Sequence, residues 1–316
     1  MSRETPLSLP VIDFCKLDLK PGTTEWDSLR SQVWKAIEEY GSFRAVLSKI
    51  SQELREAFLN ELEELFALPL QTKRCYVNEK PFRGYVGQSP SSPLNECFTI
   101  DNPVISQNLE NLCNILWQPQ GKPSFRKIMH SFSKEVLELE KIIRRMIIES
   151  LGVEKYLEEN MASADYMLRV TKYGSPQRSK ELSGLPAHTD NNMITILHQN
   201  EVHGLEVQTK GGEWIPVKFS PDSFLILIGE SFHAWANGRL HSPYHRVRMS
   251  CGNEARISAG FFSVFKEGYL VKAPEEMVDE EHPLLFKPFD HSEFLKFFRT
   301  PAGLSSPSPL KEYCGV

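Results

Sequence analysis

The sequence predicts a mainly β protein with flanking helices, in which a helical N-terminal region precedes a sandwich or barrel of short strands of the jelly-roll type. Two observations carry this. Apolar residues recur at helical spacing through the first half, whereas from about Tyr166 the chain breaks into short β-rich segments separated by turns. With 316 residues, 41% of them hydrophobic and 24% charged, the chain can bury a core without disulfides or a structural metal.

The elements follow in order. Leu9-Pro-Val-Ile-Asp13-Phe14 reads as a short strand. Thr24 is placed to cap a helix whose apolar stripe is Leu29, Val33, Ile37 and Tyr40, and Gly41 ends it. A second helix spans about Ser51 to Phe66 and stops before Pro69. A third carries Phe132, Val136, Leu139, Ile143 and Met146 before Gly152. Strands are expected over Tyr166 to Tyr173, Met193 to Gln199, Gly204 to Gln208, Glu213 to Val217, Ser223 to Gly229, His245 to Met249 and Arg256 to Val264, with Gly211-Gly212 as a hairpin turn. Asp290 to Phe298 returns to helix, and the tail after Thr300 is expected to be irregular. The organisation is therefore 1–159 as a helical region packed on the core, 160–300 as the core and 301–316 as a tail, with a soft boundary at Asn160 to Asp165.

Composition narrows the partners. The net charge is -5 and no long basic run could track a phosphate backbone, so nucleic acid is not expected. No apolar run approaches the roughly 18 residues of a membrane span, and the start lacks the apolar stretch of a signal peptide. Cys15, Cys75, Cys97, Cys113, Cys251 and Cys314 form no C-x-x-C pair and read as reduced, individually packed thiols. Cys314 is third from last, so a prenylation box is not expected. A cytoplasmic monomer acting on a small molecule is the expectation.

The chemistry starts from a spacing. In His188-Thr189-Asp190 the two outer side chains share one side if the segment is extended, which suits chelation of a metal. Nine histidines and 41 acidic residues make about one chance match to such a pair, so the motif alone is weak. The other match, His291-Ser292-Glu293, lies in an expected helix where positions i and i+2 face apart. A third ligand could come from any of seven downstream histidines. His241 and His245 have the four-residue spacing of helical zinc motifs, but Pro243 between them breaks such a helix. On the strand Arg256-Ile-Ser-Ala-Gly-Phe-Phe262, Arg256, Ser258 and Phe262 share a face that offers a cation, a hydroxyl and a ring. That face suits a dicarboxylate, although alone it reads more readily as a surface salt bridge beside a core ring.

Together, His188-Thr-Asp190, His245 within Asn237-Gly-Arg-Leu-His-Ser-Pro-Tyr-His-Arg-Val247, and Arg256-Ile-Ser258 resemble the plant 2-oxoglutarate-dependent dioxygenase family. The likeness runs from Leu9-Pro-Val-Ile-Asp13 through Gly204-Leu-Glu-Val207 to Pro283-Leu-Leu-Phe-Lys-Pro288. Gly238-Arg-Leu-His-Ser-Pro243 looks most like the specialised-metabolism branch that includes deoxypodophyllotoxin synthase and the alkenyl-glucosinolate-forming dioxygenases. The resemblance implies a distorted double-stranded β-helix in which His188, Asp190 and His245 bind iron(II). It also implies that Arg256 and Ser258 bind the distal carboxylate of 2-oxoglutarate, helped by Tyr173. Where the family usually has Asn-Tyr-Tyr-Pro this chain has Thr171-Lys-Tyr-Gly174, and only Tyr173 carries over. The implied reaction consumes oxygen, with ascorbate as reductant, and hydroxylates, desaturates, demethylates or ring-closes a small plant metabolite. A carboxylate at Asp190 disfavours halogenation, because related halogenases have a small residue there. Phe262 is the first candidate for substrate contact; Phe98, Ile100 and Trp235 follow, each weighed against ordinary core packing. A non-catalytic binder on the same fold and a zinc hydrolase are the alternatives.

Overall fold

The computed structural model describes residues 7–15, 19–78, 80, 82–89, 93–175, 182–250 and 254–316. Cys251 and the first six residues lie outside them. The strands that matter are β1 (Val11–Asp13), β2 (Ser42–Val46), β3 (Gly84–Val86), β4 (Asn95–Asp101), β5 (Ala164–Tyr173), β6 (Leu182–His188), β7 (Ile194–Gln199), β8 (Leu205–Gln208), β9 (Trp214–Pro216), β10 (Ser223–Ile228), β11 (His245–Met249) and β12 (Arg256–Phe265). Eight form a large sheet in the order β1-β2-β10-β7-β12-β5-β4-β3. A smaller sheet, β6-β11-β8-β9, accompanies it.

The helices are α1 (Thr24–Tyr40), α2 (Gln52–Ala67), α3 (Leu70–Lys73), α4 (Ser106–Leu116), α5 (Pro123–Ser150), α6 (Leu157–Ala162), α7 (Glu230–Trp235) and α8 (His291–Phe298). The cap of α1 is Thr23 rather than Thr24: its hydroxyl accepts from the Trp26 N–H at 3.3 Å. Gly41 closes α1 in the left-handed region at φ 65°. The chain after Thr300 is not irregular, since Pro301–Ser305 and Pro309–Cys314 are short helices, each with proline in its first turn.

Periodicity of two sorts the strand residues onto two faces. On β10, Phe224, Ile226 and Ile228 join the core beneath the helices, while Leu225 and Leu227 join the core that also holds Leu205, Val207 and Val247 of the smaller sheet. Both faces of this strand are buried, which is why it reads as a continuous apolar run. On β12, Ile257, Ala259 and Phe261 go to the helix side. Arg256, Ser258, Gly260 and Phe262 are left for the other face. A buried ion pair between Arg144 and Glu140 (3.0 Å), with Arg144 also donating to the Tyr166 hydroxyl at 2.8 Å, ties α5 to β5.

Three strands in the first half, β2, β3 and β4, escaped the periodicity reading; β2 follows directly on Gly41 and joins the large sheet beside β10. β6 also escaped, because Gly184 and Pro186 interrupt its pattern. Five described cysteines are unpaired; Cys75 is exposed rather than packed.

Candidate active site

His188 ends β6 and His245 begins β11, and the two are direct antiparallel partners, with their rings 4.2 Å apart between centroids. Asp190 follows on the loop from β6 to β7. The start of α7 holds that loop: the Glu230 N–H donates to the Asp190 carbonyl at 2.7 Å, the Gly229 N–H to the Met193 carbonyl at 2.8 Å and the Ser231 hydroxyl to the Asn191 carbonyl at 2.6 Å. A Cβ at Gly229 would stand 2.2 Å from the Asn192 carbonyl oxygen, so only glycine allows this approach. Partial burial of Glu230 pushes its carboxyl up; the nearby His233 and the hydroxyls of Ser242 and Thr189 oppose that shift.

Asp190 Oδ1 lies 3.8 Å from His188 Nε2 and 3.7 Å from His245 Nε2, and one ligand atom of each residue falls within 4.8 Å of the others. The remaining atoms are occupied elsewhere. Nδ1 of His188 donates to the Pro186 carbonyl at 2.9 Å, and Nδ1 of His245 points to the Pro243 carbonyl at 3.5 Å. Both Nε2 lone pairs are therefore left for a metal. Thr195 Oγ1 donates to Asp190 Oδ2 at 2.6 Å and leaves Oδ1 free. Burial pushes the His245 imidazole down to about 4, His188 adds to the effect and Asp190 opposes it, so the ring is a neutral ligand at neutral pH. Two imidazole nitrogens and one carboxylate oxygen on a common side suit a mononuclear iron(II) with open coordination positions.

These residues open onto a cavity of about 290 Å³. Its wall includes Met167, Arg169, Thr171 and Tyr173 from β5, and Arg256, Ser258, Gly260 and Phe262 from β12. Arg256 is fully buried. Its Nε and Nη2 donate to Gln199 Oε1 at 3.2 and 2.8 Å, its Nη1 to the Ser258 hydroxyl at 3.3 Å, and its guanidinium stands 5.0 Å from the centroid of the Tyr173 ring. Among the described residues no carboxylate pairs with it. Burial lowers its pKa, and Tyr173 counters this. A buried guanidinium whose neighbours are neutral is an anion site.

Tyr173, Arg256 and Ser258 thus converge, and Phe262 joins the wall, its ring lying over Gly260. Phe98, Ile100 and Trp235 do not. Phe98 pairs with Val170 and Ile100 with Leu168, on the helix side of the sheet, where Phe98 meets the rings of Phe66, Tyr76 and Tyr85. The strand is at the cavity, but the alternate set faces it: Asn95 reaches the wall. Trp235 is buried on α7 against Phe232. Sequence reasoning passed over Gln199, Thr195 and Arg169; carrying the parity of β12 across to β5 and β7 would have found all three. His291, set aside as a ligand, is buried at the head of α8, contacts Ser231 through Nδ1 at 2.9 Å and adjoins the cavity.

Comparison with known proteins gives two family matches: the 2OG-Fe(II) oxygenase superfamily over residues 164–264, and the non-haem dioxygenase in morphine synthesis N-terminal family over residues 9–114. The chain is 44% identical over 310 residues to the probable 2-oxoglutarate-dependent dioxygenase AOP1.2 of Arabidopsis thaliana, covering 96% of this chain and 95% of that one. It is 31% identical to the 2-oxoglutarate-dependent dioxygenase AOP3 of the same plant, covering 98% and 97%. Among solved structures, the rice dioxygenase for auxin oxidation superposes with a TM-score of 0.81 at 25% identity, covering 98% of this chain and 100% of that one. The Arabidopsis thaliana dioxygenase for auxin oxidation 1, in complex with 2-oxoglutarate, gives 0.77 at 25% identity, covering 87% and 99%.

Proposed function

This chain belongs to the 2-oxoglutarate-dependent dioxygenases of the 2OG-Fe(II) oxygenase superfamily, and from that premise we propose that His188, Asp190 and His245 hold its iron(II) while Arg256, Ser258 and Tyr173 hold the co-substrate. Bound there, iron(II) would supply the reaction of dioxygen with 2-oxoglutarate, giving succinate and carbon dioxide, coupled to two-electron oxidation of a small molecule by the same dioxygen. The observation that carries the residue assignment is the convergence, on one cavity, of three inward-facing donor atoms and a buried guanidinium with no carboxylate partner among the described residues.

Each side chain has a definite task. The Pro186 and Pro243 carbonyls and the Thr195 hydroxyl set which atoms face the metal. Gln199 holds the Arg256 fork in plane, so that its remaining N–H groups and the Ser258 hydroxyl meet a carboxylate in fixed geometry. Phe262, with neighbouring apolar side chains, excludes water and receives the apolar or aromatic body of a plant metabolite. The same reading takes 160–300 as the catalytic core, since every metal and co-substrate position falls there, with 1–159 packing on it and 301–316 as a tail. Action as a cytoplasmic monomer is part of the same proposal, and the five unpaired cysteines among the described residues fit a reducing compartment.

The test is direct. Purified protein with iron(II), ascorbate and 2-oxoglutarate is to be assayed for succinate release against a panel of plant metabolites, and metal binding compared with that of His188→Ala. Iron-dependent succinate release and loss of metal binding in the variant are expected. Unchanged metal binding in His188→Ala counts against the ligand assignment, and activity with zinc in place of iron sinks it.

A further inference from the structure

We infer that the molecule oxidised here carries a hydrogen-bond donor, a hydroxyl or an N–H group, and that the bare Nε2 of His291 accepts from it. His291, Leu295 and Phe298 are spaced i, i+4 and i+7 along α8, so they share one face of the helix, and all three line the cavity. That face offers an imidazole at its start and apolar groups along the rest. His291 is 2% exposed, and its Nε2 is buried without a hydrogen-bond partner among the described residues. A buried acceptor left without a donor is destabilising, and the cavity is the open space this one adjoins.

Neighbouring hydrogen bonds fix which ring nitrogen holds the proton. The Ser231 hydroxyl stands 2.6 Å from the Asn191 carbonyl, which can only accept, so the single hydroxyl proton is used there. Ser231 Oγ must then accept across its 2.9 Å contact with His291 Nδ1, and Nδ1 carries the N–H. Burial lowers the pKa of His291 to about 4, while Asp290 opposes that shift and Arg83 adds to it. The ring is therefore neutral at neutral pH, with its one proton on Nδ1 and a lone pair on Nε2. The same hydrogen bonds give an orientation, resting on the metal role proposed above. Asn191 follows Asp190, so the chain from Asn191 through Ser231 to His291 sets the imidazole at the metal end of α8. A substrate whose donor reaches Nε2 lays its apolar body along Leu295 and Phe298. Methylating that donor removes the bond and crowds the acceptor.

The experiment measures binding and protonation rather than turnover. Protein loaded with manganese(II) and 2-oxoglutarate is titrated calorimetrically with benzyl alcohol, phenethyl alcohol and indole, each against its O-methyl or N-methyl derivative. The parent compounds are expected to bind at least about fivefold more tightly than the methylated ones. In His291→Phe, which keeps a ring but no acceptor, that preference falls to within about twofold. His291→Gln, whose amide oxygen can stand near the place of Nε2, retains part of it. Nitrogen NMR of histidine-labelled wild type, loaded with diamagnetic zinc(II) and 2-oxoglutarate, is expected to show His291 protonated on Nδ1 and bare on Nε2, with the Nε2 resonance moving when indole is added. Methylated probes that bind as well as their parents, no binding by any donor-bearing probe, a preference that persists in His291→Phe, or a proton found on Nε2 each overturn the inference. The wild-type titrations and the NMR need no variant to fold. Failure of 2-oxoglutarate itself to bind would mark the underlying co-substrate reading, rather than the role of His291, as wrong.

Discussion

Replacing Arg256 by methionine sets two effects of opposite sign against each other. In the chain without co-substrate, the guanidinium is fully buried with no carboxylate beside it among the described residues, so removing the charge relieves a desolvation cost of about 1–4 kcal/mol. Against this, Gln199 Oε1 loses both of its Arg256 donors, a loss of about 1–3 kcal/mol. The expected net change in stability is therefore within about 2 kcal/mol of zero. Binding of 2-oxoglutarate behaves differently, because its carboxylate would enter a buried site with its cation missing. That costs about 3–5 kcal/mol, or roughly two to three and a half orders of magnitude in Kd. Thermal melts with manganese(II) read both. At a concentration of 100 times its Kd, 2-oxoglutarate stabilises wild type by about 2.7 kcal/mol, whereas the same concentration adds only about 0.3 kcal/mol or less to Arg256→Met. A variant that keeps its ligand-induced stabilisation to within about 1 kcal/mol of wild type would refute the clamp.

Three further outcomes follow from the same geometry. Thr195→Val removes the hydrogen bond that occupies Asp190 Oδ2 and is expected to weaken metal binding about 10- to 100-fold in a metal titration; equal affinity would mean that the hydroxyl does not orient the carboxylate. Gly229→Ala forces a methyl group to within 2.2 Å of the Asn192 carbonyl, and is expected to lower the urea midpoint by about 3 kcal/mol of stability and to impair metal binding along with it. His198, buried between Phe132 and Phe224, has its pKa lowered by burial to about 4. The unfolded chain then takes up a proton on this residue near 6.5 while the folded chain does not, so stability is unaffected above that pH and falls as pH drops from about 6.5 to about 4. The slope is about 1.4 kcal/mol per pH unit for this residue, and His198→Phe is expected to flatten the acid limb of urea midpoints by that amount. An unaltered limb would show that His198 is not held neutral.

The elements that were legible in the sequence are those whose periodicity reflects a single burial choice. The α1 helix shows its stripe, and β12 shows apolar residues on one face and chemistry on the other, because each packs one side against a continuous core. The metal pair His188 and Asp190 was legible for a similar reason, since both belong to one short segment whose local geometry sets their relation. β6 was not legible, because Gly184 and Pro186 break its pattern and pairing with β11 alone makes it a strand.

The amino-acid sequence by itself therefore determined the local chemistry, a His-x-Asp segment and an Arg-x-Ser strand, together with the helical stripes of the first half but not the strands β2, β3 and β4 set among them. Tertiary structure decided what depends on one strand lying beside another. It set His245 opposite His188, brought Gln199 to Arg256 from the neighbouring strand, and turned Asn95 rather than Phe98 toward the cavity. The physical reason is that a strand's alternation names two faces but not their destinations. Which face meets helices and which meets a ligand is settled only when the neighbouring sheet and the helical layer are both in place.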